Sequence, residues 1–148
     1  MSRRVSRGFQ RERLSALLAE SGMARSDVAR LAGVAASTLN SWERRGGEPD
    51  IERLARVVRL LDVEIAEVVV VPDDECMPSD LRVRRGMTQM QLGQAAGLST
   101  TVVSGFERGE TRWSPRKAEK LAPVLGVSVG ELEAAWLRAK NRPAGTKP

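Results

Sequence analysis

Side chains able to do covalent or metal chemistry are scarce in this chain. It holds no histidine, no tyrosine and a single cysteine, Cys76. That removes zinc ribbons, histidine–metal sites, disulfide frameworks and the Ser-His and Cys-His dyads of nucleophilic catalysis together. Carboxylates are plentiful, but none stands in a constellation with a nucleophile, a ligand set or a phosphate-binding loop. The residues therefore predict no enzyme, no metal and no cofactor. What remains is polar and cationic recognition. Arginine outnumbers lysine 20 to 4, a bias that suits bidentate phosphate contacts and that a GC-rich genome would also produce. The formal charge of +5 is spread evenly over the two halves. It fits a polyanionic partner approached by two similar surfaces, and equally a soluble protein that binds nothing charged.

The elements that must position these side chains are legible through a repeat. At 148 residues the chain has room for one ordinary domain or two small ones. Sliding it by 64 positions superposes its halves without a gap. Gly22 and Met23 fall on Gly86 and Met87, Ala32 and Gly33 on Ala96 and Gly97, and Glu43 and Arg44 on Glu107 and Arg108. Leu61, Val63 and Glu67 fall on Leu125, Val127 and Glu131. Apolar positions pair at helical spacing, among them Val28 with Leu92, Leu39 with Val103, Trp42 with Phe106 and Val68 with Leu132, as two copies of one core would. The pattern predicts an all-α fold of two tandem five-helix domains. Helices are expected over residues 9–21, 25–32, 36–44 and 51–61, with a short closing turn at 65–68, repeated from Ser79 onward. Gly22, Gly33, Gly86 and Gly97 serve as stops and turns, and Pro49 and Pro115 lie where the fourth helices open. The expected boundaries are a first domain over 1–68, a linker over 69–77 carrying Pro72, Asp73, Asp74 and Glu75, a second domain over 78–140 and a disordered tail over 141–148. Cys76 reads as a spare thiol in that linker.

Residues 87–109, MTQMQLGQAAGLSTTVVSGFERG, have the make-up of two helices joined by a tight turn. A helix opens at Gln89, small Gly93 and Ala96 let helices approach, Gly97 makes the turn, Leu98 plugs the core and Ser99 caps the next helix. This segment resembles the helix-turn-helix of Cro and lambdoid-repressor (XRE) type regulators. Residues 24–45, ARSDVARLAGVAASTLNSWERR, follow the same plan, and residues 125–132, LGVSVGEL, resemble the closing helix of that family. The resemblance covers residues 9–137 and implies a lambda-repressor-like fold that binds double-stranded DNA with one recognition helix per domain.

Two departures stand out. Arg25 replaces the glutamine usual at the start of the second helix, which Gln89 retains. The resemblance also implies an ion pair between Arg82 and Glu107, and the first copy has Leu18 where Arg82 would be. Glu43 is then expected to be solvated or to find another base, such as Arg13 or Arg30. Breaking a buried pair costs about 3–5 kcal/mol, so the first copy reads as the looser domain.

Positions four apart share a helical face. Ala36, Ser37, Asn40 and Ser41 therefore form one stripe while Leu39 and Trp42 turn inward. In the second copy the stripe is Thr100, Thr101, Ser104 and Gly105, preceded by Ser99, with Val103 and Phe106 turned inward. The resemblance implies that these stripes approach base edges. They lack the long side chains of the strongest base contacts and leave Asn40 as the best direct reader, suited to adenine. The small residues would select through thymine methyl contacts and bridging water, each worth about 1–3 kcal/mol per base pair. Phosphate contacts are expected from Arg25, Gln89, Arg44, Arg45, Arg108 and Arg112, helped by backbone amides at the recognition-helix starts. Trp113 and Trp136 read as core, although Trp113 would also suit a sugar. Arg3, Arg4 and Arg7 read as a disordered basic terminus rather than a minor-groove arm.

Single-domain relatives dimerise to reach half-sites about 34–36 Å apart, whereas here both domains lie on one chain. A linker of about nine residues spans at most about 30 Å, and the copies differ, so the expected site is bipartite and asymmetric, bound by a monomer or weak homodimer. Transcriptional repression is the leading role, with activation through RNA polymerase contact as an option. The rival from another class is an antitoxin-like protein-interaction module using the Val68–Val71 run or the Leu132–Leu137 face. No apolar run has signal-peptide or membrane-span length, so a cytoplasmic, nucleoid-associated protein of bacterial or phage origin is expected, with no membrane partner.

Overall fold

The computed structural model describes residues 3–148, and the chain divides into two compact units between Val70 and Val71. The described residues form nine α-helices and two short 3-10 turns, with no strand. No helix among them is long and apolar enough to cross a membrane.

The first unit contains α1 (Arg11–Glu20), α2 (Arg25–Ala32), α3 (Ala36–Arg44) and α4 (Ile51–Leu60), followed by a 3-10 turn at Ile65–Glu67. The apolar positions of the repeat form its core: Leu14, Leu18, Val28, Leu39, Trp42, Leu54, Val57 and Val68 are all buried. Asp50 caps α4 by accepting from the Arg53 amide at 3.0 Å. The expected start of α1 at Phe9 is corrected to Arg11, because main-chain pairing takes up the preceding residues. Phe9 bridges Val69, Gln10 N donates to Val68 O at 2.7 Å and Val70 N donates to Gly8 O at 2.8 Å. Further upstream Arg4 bridges Asp50, Val5 N donates to Pro49 O, and Ile51 N donates to Arg3 O, each bond 2.8 Å long. Val5 is buried. Residues 3–10 are thus an ordered strap rather than the disordered terminus expected, because two segments distant in sequence offer them donors and acceptors. Met1 and Ser2 lie outside the described residues.

The second unit contains α5 (Pro78–Arg84), α6 (Gln89–Ala96), α7 (Thr100–Glu107), α8 (Pro115–Leu125) and α9 (Val129–Lys140). Its core gathers Leu81, Leu92, Val103, Phe106, Leu121, Leu125, Leu132 and Trp136. Trp113 packs against that core, its ring 5.9 Å from Phe106 and 5.6 Å from Trp136. The short closing turn expected here is instead the 12-residue α9. The copies part after Glu67 and Glu131: β-branched Val68–Val71 disfavours helix and Pro72 forbids its continuation, while Glu133, Ala134, Ala135 and Leu137 propagate it.

The stretch 69–77 divides between the units. Val69 and Val70 pair with the strap, as above. Asp73–Glu75 forms a 3-10 turn, and Cys76 and Met77 are buried in the second unit. Arg138 donates to Cys76 O at 2.9 Å, and Arg84 donates to Val71 O and Asp73 Oδ1, both at 2.8 Å. Burial pushes the Cys76 thiol pKa upward, so its packing rather than its reactivity is what the fold uses.

Candidate nucleic-acid interface

Both turns between paired helices are built alike. Gly33 and Gly97 adopt left-handed backbone, φ 70° and 71°, a conformation that costs an L side chain strain. The following Val34 N and Leu98 N donate back to Ala29 O and Gly93 O. Gly93 has to be small, because a Cβ there would lie 2.5 Å from Leu98 O. The caps differ. Thr88 and Gln91 exchange a reciprocal capping pair at the start of α6 (Gln91 N to Thr88 Oγ1 3.1 Å, Thr88 N to Gln91 Oε1 2.9 Å), and Ser99 accepts from Val102 N at 3.2 Å at the start of α7. The first copy has Ala24 and Ala35 at those positions, and neither can cap.

In α3, Leu39 and Trp42 are buried, which leaves Ala36, Ser37 and Asn40 exposed on the opposite side. Ser41 is half-buried, since the chain returns over it: Gly47 N donates to Ser41 O, and a Cβ on Gly47 would lie 2.8 Å from Ser41 Oγ. In α7, Val103 and Phe106 are buried, Ser99 and Thr101 are exposed, and Thr100 and Ser104 are half-buried. Gly105 does not join that open face. It is buried, Glu110 N donates to its carbonyl, and a Cβ there would lie 3.0 Å from Thr111 Cγ2. The turn 109–111 folds over Gly105 as Gly47 does over Ser41.

A carboxylate at the end of each of these helices ties it back to the helix before. Arg82 and Glu107 form a buried bidentate pair, Nε to Oε2 2.7 Å and Nη2 to Oε1 3.1 Å, with 5% and 4% of the side chains exposed. Arg82 also donates to Met87 O at 2.8 Å, and Gln89 Nε2 donates to Glu107 Oε1 at 2.9 Å. In the first unit Leu18 is wholly buried, and the base that meets Glu43 is Arg25, through Nε at 3.2 Å and Nη2 at 3.1 Å. This corrects the expectation of Arg13 or Arg30, which pair with Glu67 and Asp27 instead. Arg25 occupies the repeat position of Gln89. The first copy has therefore moved its cation from the first helix to the start of the second, and the pair has become exposed on the arginine side, at 44%.

The other expected phosphate residues are arranged as follows. Arg44, Arg45 and Arg112 are exposed. Arg108 is half-buried, bonded through Nη1 to Ser104 Oγ and through Nε to Glu110 Oε2 at 3.0 Å. Gln89 is half-buried, with its Oε1 buried and unpartnered. One residue that sequence reasoning passed over is Arg142. Its Nη1 donates to Ala139 O at 2.7 Å and to Arg108 O, and its Nε donates to Thr146 O at 3.2 Å. The only signal for it is a basic residue just past a helix end.

Each unit therefore presents the exposed face of a short helix set behind a glycine turn, which defines a tandem helix-turn-helix protein. Residues 14–68 match a family model described as helix-turn-helix, and residues 80–136 match one described as helix-turn-helix domain. No curated protein and no solved structure matches the chain. The chain belongs to the helix-turn-helix regulators of the XRE type, with two domains in tandem, and is a DNA-binding regulator.

Proposed function

We propose that this protein is a sequence-specific repressor that reads a bipartite, asymmetric site on double-stranded DNA with α3 and α7 of one chain. The observation that carries the reading is the pair of open helical faces, unlike in composition. Ala36, Ser37 and Asn40 line one, with Ser41 at its edge. Ser99 and Thr101 line the other, with Thr100 and Ser104 partly covered. Asn40 offers both a donor and an acceptor to an adenine edge, while the threonines offer methyl groups and hydroxyls. Two unlike faces call for two unlike half-sites.

Arg44, Arg45 and Arg112 supply phosphate contacts as exposed cations, and Arg108 does so from a position braced by Ser104 and Glu110. Arg25 serves twice, holding Glu43 and meeting a phosphate with its exposed edge. Gln89 takes the equivalent place in the second domain, held by Glu107. Joining two modest binders in one chain raises the effective concentration of the second over that of a separate domain.

The test is selection of bound duplexes from a random pool at near-physiological salt. Enrichment of one non-palindromic sequence with two separated conserved blocks is the expected result. A palindrome would instead indicate a dimer using one domain from each chain, and no enrichment would turn the search toward a protein partner.

A further inference from the structure

Recognition helix α7 ends against the end of another helix. Gly109, which follows it with φ 68°, lies so close to α9 that a Cβ would sit 2.6 Å from Lys140 N and 2.7 Å from Lys140 Cα. The contact is therefore mainly backbone to backbone, with Lys140 Cβ next at 3.0 Å. Two helix C-termini meeting in this way bring together two sets of unsatisfied carbonyls and two partial negative charges. The guanidinium of Arg142 answers both, donating to Arg108 O at the end of α7 and to Ala139 O in the last turn of α9. Its remaining bond, to Thr146 O, fastens the segment that follows. The first copy has Arg45 at the repeat position of Gly109 and a 3-10 turn where α9 would be, so nothing equivalent exists there.

We propose that Arg142 is a positioning residue for DNA recognition by the second domain: it clamps the C-terminal turn of α7 and so sets how Ser104 and Arg108 meet the duplex. The inference rests on the DNA-binding reading above. Its chemistry needs two nitrogens on one rigid group: Nη1 meets both helix carbonyls while Nε reaches Thr146 O. A lysine keeps the charge and can offer its one nitrogen to the carbonyls, but has none left for Thr146. Arg108 is the link to the surface, because its carbonyl is the clamped atom while its side chain bonds Ser104 and Glu110.

The full-length protein is compared with Arg142→Ala and Arg142→Lys on the duplex enriched by wild-type selection and on an unrelated duplex of equal length. For Arg142→Ala, affinity for the selected duplex is expected to fall about tenfold, the size of one lost charge-assisted contact. Affinity for the unrelated duplex should fall less, about two- to threefold, because the Arg108 phosphate contact weakens on every sequence while the Ser104 base contact is lost only on the selected one. Arg142→Lys should restore the latter and only part of the former. In the free protein, amide exchange at Gly109 and Glu110 should quicken in Arg142→Ala while the thermal midpoint holds. Unchanged exchange would overturn the clamp. Quicker exchange with unchanged selectivity would show a structural role only and overturn the positioning role. If wild type itself enriches no sequence, the DNA reading falls and this inference with it; if wild type selects and Arg142→Ala matches it, only the inference falls.

Discussion

At the residue scale the two copies solve one problem at different depths. Glu107 is desolvated and satisfied by Arg82 and Gln89, whereas Glu43 is held by one arginine that is nearly half exposed. Removing a partner from a buried pair leaves an uncompensated charge, so Arg82→Met is expected to destabilise the second unit by about 3–5 kcal/mol. Arg25→Met should cost the first unit less, about 1–2 kcal/mol, because the pair opens to water on the arginine side, although only 12% of the Glu43 side chain is exposed. The tryptophans separate the readouts in urea titrations: Trp42 reports on the first unit, and Trp113 and Trp136 on the second, so Trp42→Phe gives a background in which fluorescence follows the second unit alone. Equal losses in both units would contradict this account. Arg82 was legible in the sequence because its family counterpart is fixed in register. Arg25 was not, since a side chain that reaches across from the next helix leaves no mark in spacing.

At the element scale the helices and their turns could be read from periodicity and glycine placement, and the observed limits of α2 and α3 match the expected ones. The strap and α9 could not be read so directly. Main-chain pairing between residues 3–10 and two distant segments has no local signature, and the repeat itself misled the reading of the closing turn because the copies cease to correspond after Glu131. The exposed faces of α3 and α7 were largely legible, since core positions such as Leu39 and Val103 fix the opposite side. Gly105 was misplaced because a periodic pattern knows nothing of the loop that folds over it. Capping makes a testable contrast between the copies. Ala35→Ser should stabilise the first unit by about 0.5–1 kcal/mol by giving α3 the cap that Ser99 gives α7, and Ser99→Ala should cost the second unit a similar amount. Chemical denaturation of each variant checks both signs.

At the scale of the whole molecule, the two units differ in how they are closed, one by a strap from upstream and the other by a long helix from downstream. Deleting residues 1–8 removes the buried Val5 side chain, worth about 1.5–3 kcal/mol, together with the bonds to Pro49, Ile51 and Val70. The first unit is expected to lose stability and the second to keep its own midpoint in a titration that resolves the two. The same asymmetry bears on the proposed function, since two dissimilar faces are what domains reading different half-sites would present.

The central claim is that α3 and α7 of one chain each read their own part of a single site. Hydroxyl-radical footprinting on the selected duplex, at one chain per duplex, tests it most directly when wild type is compared with Asn40→Ala and Thr101→Ala. The account predicts two protected stretches in wild type, with Asn40→Ala weakening one and Thr101→Ala the other. A single protected stretch, or both stretches fading together in each variant, would contradict it.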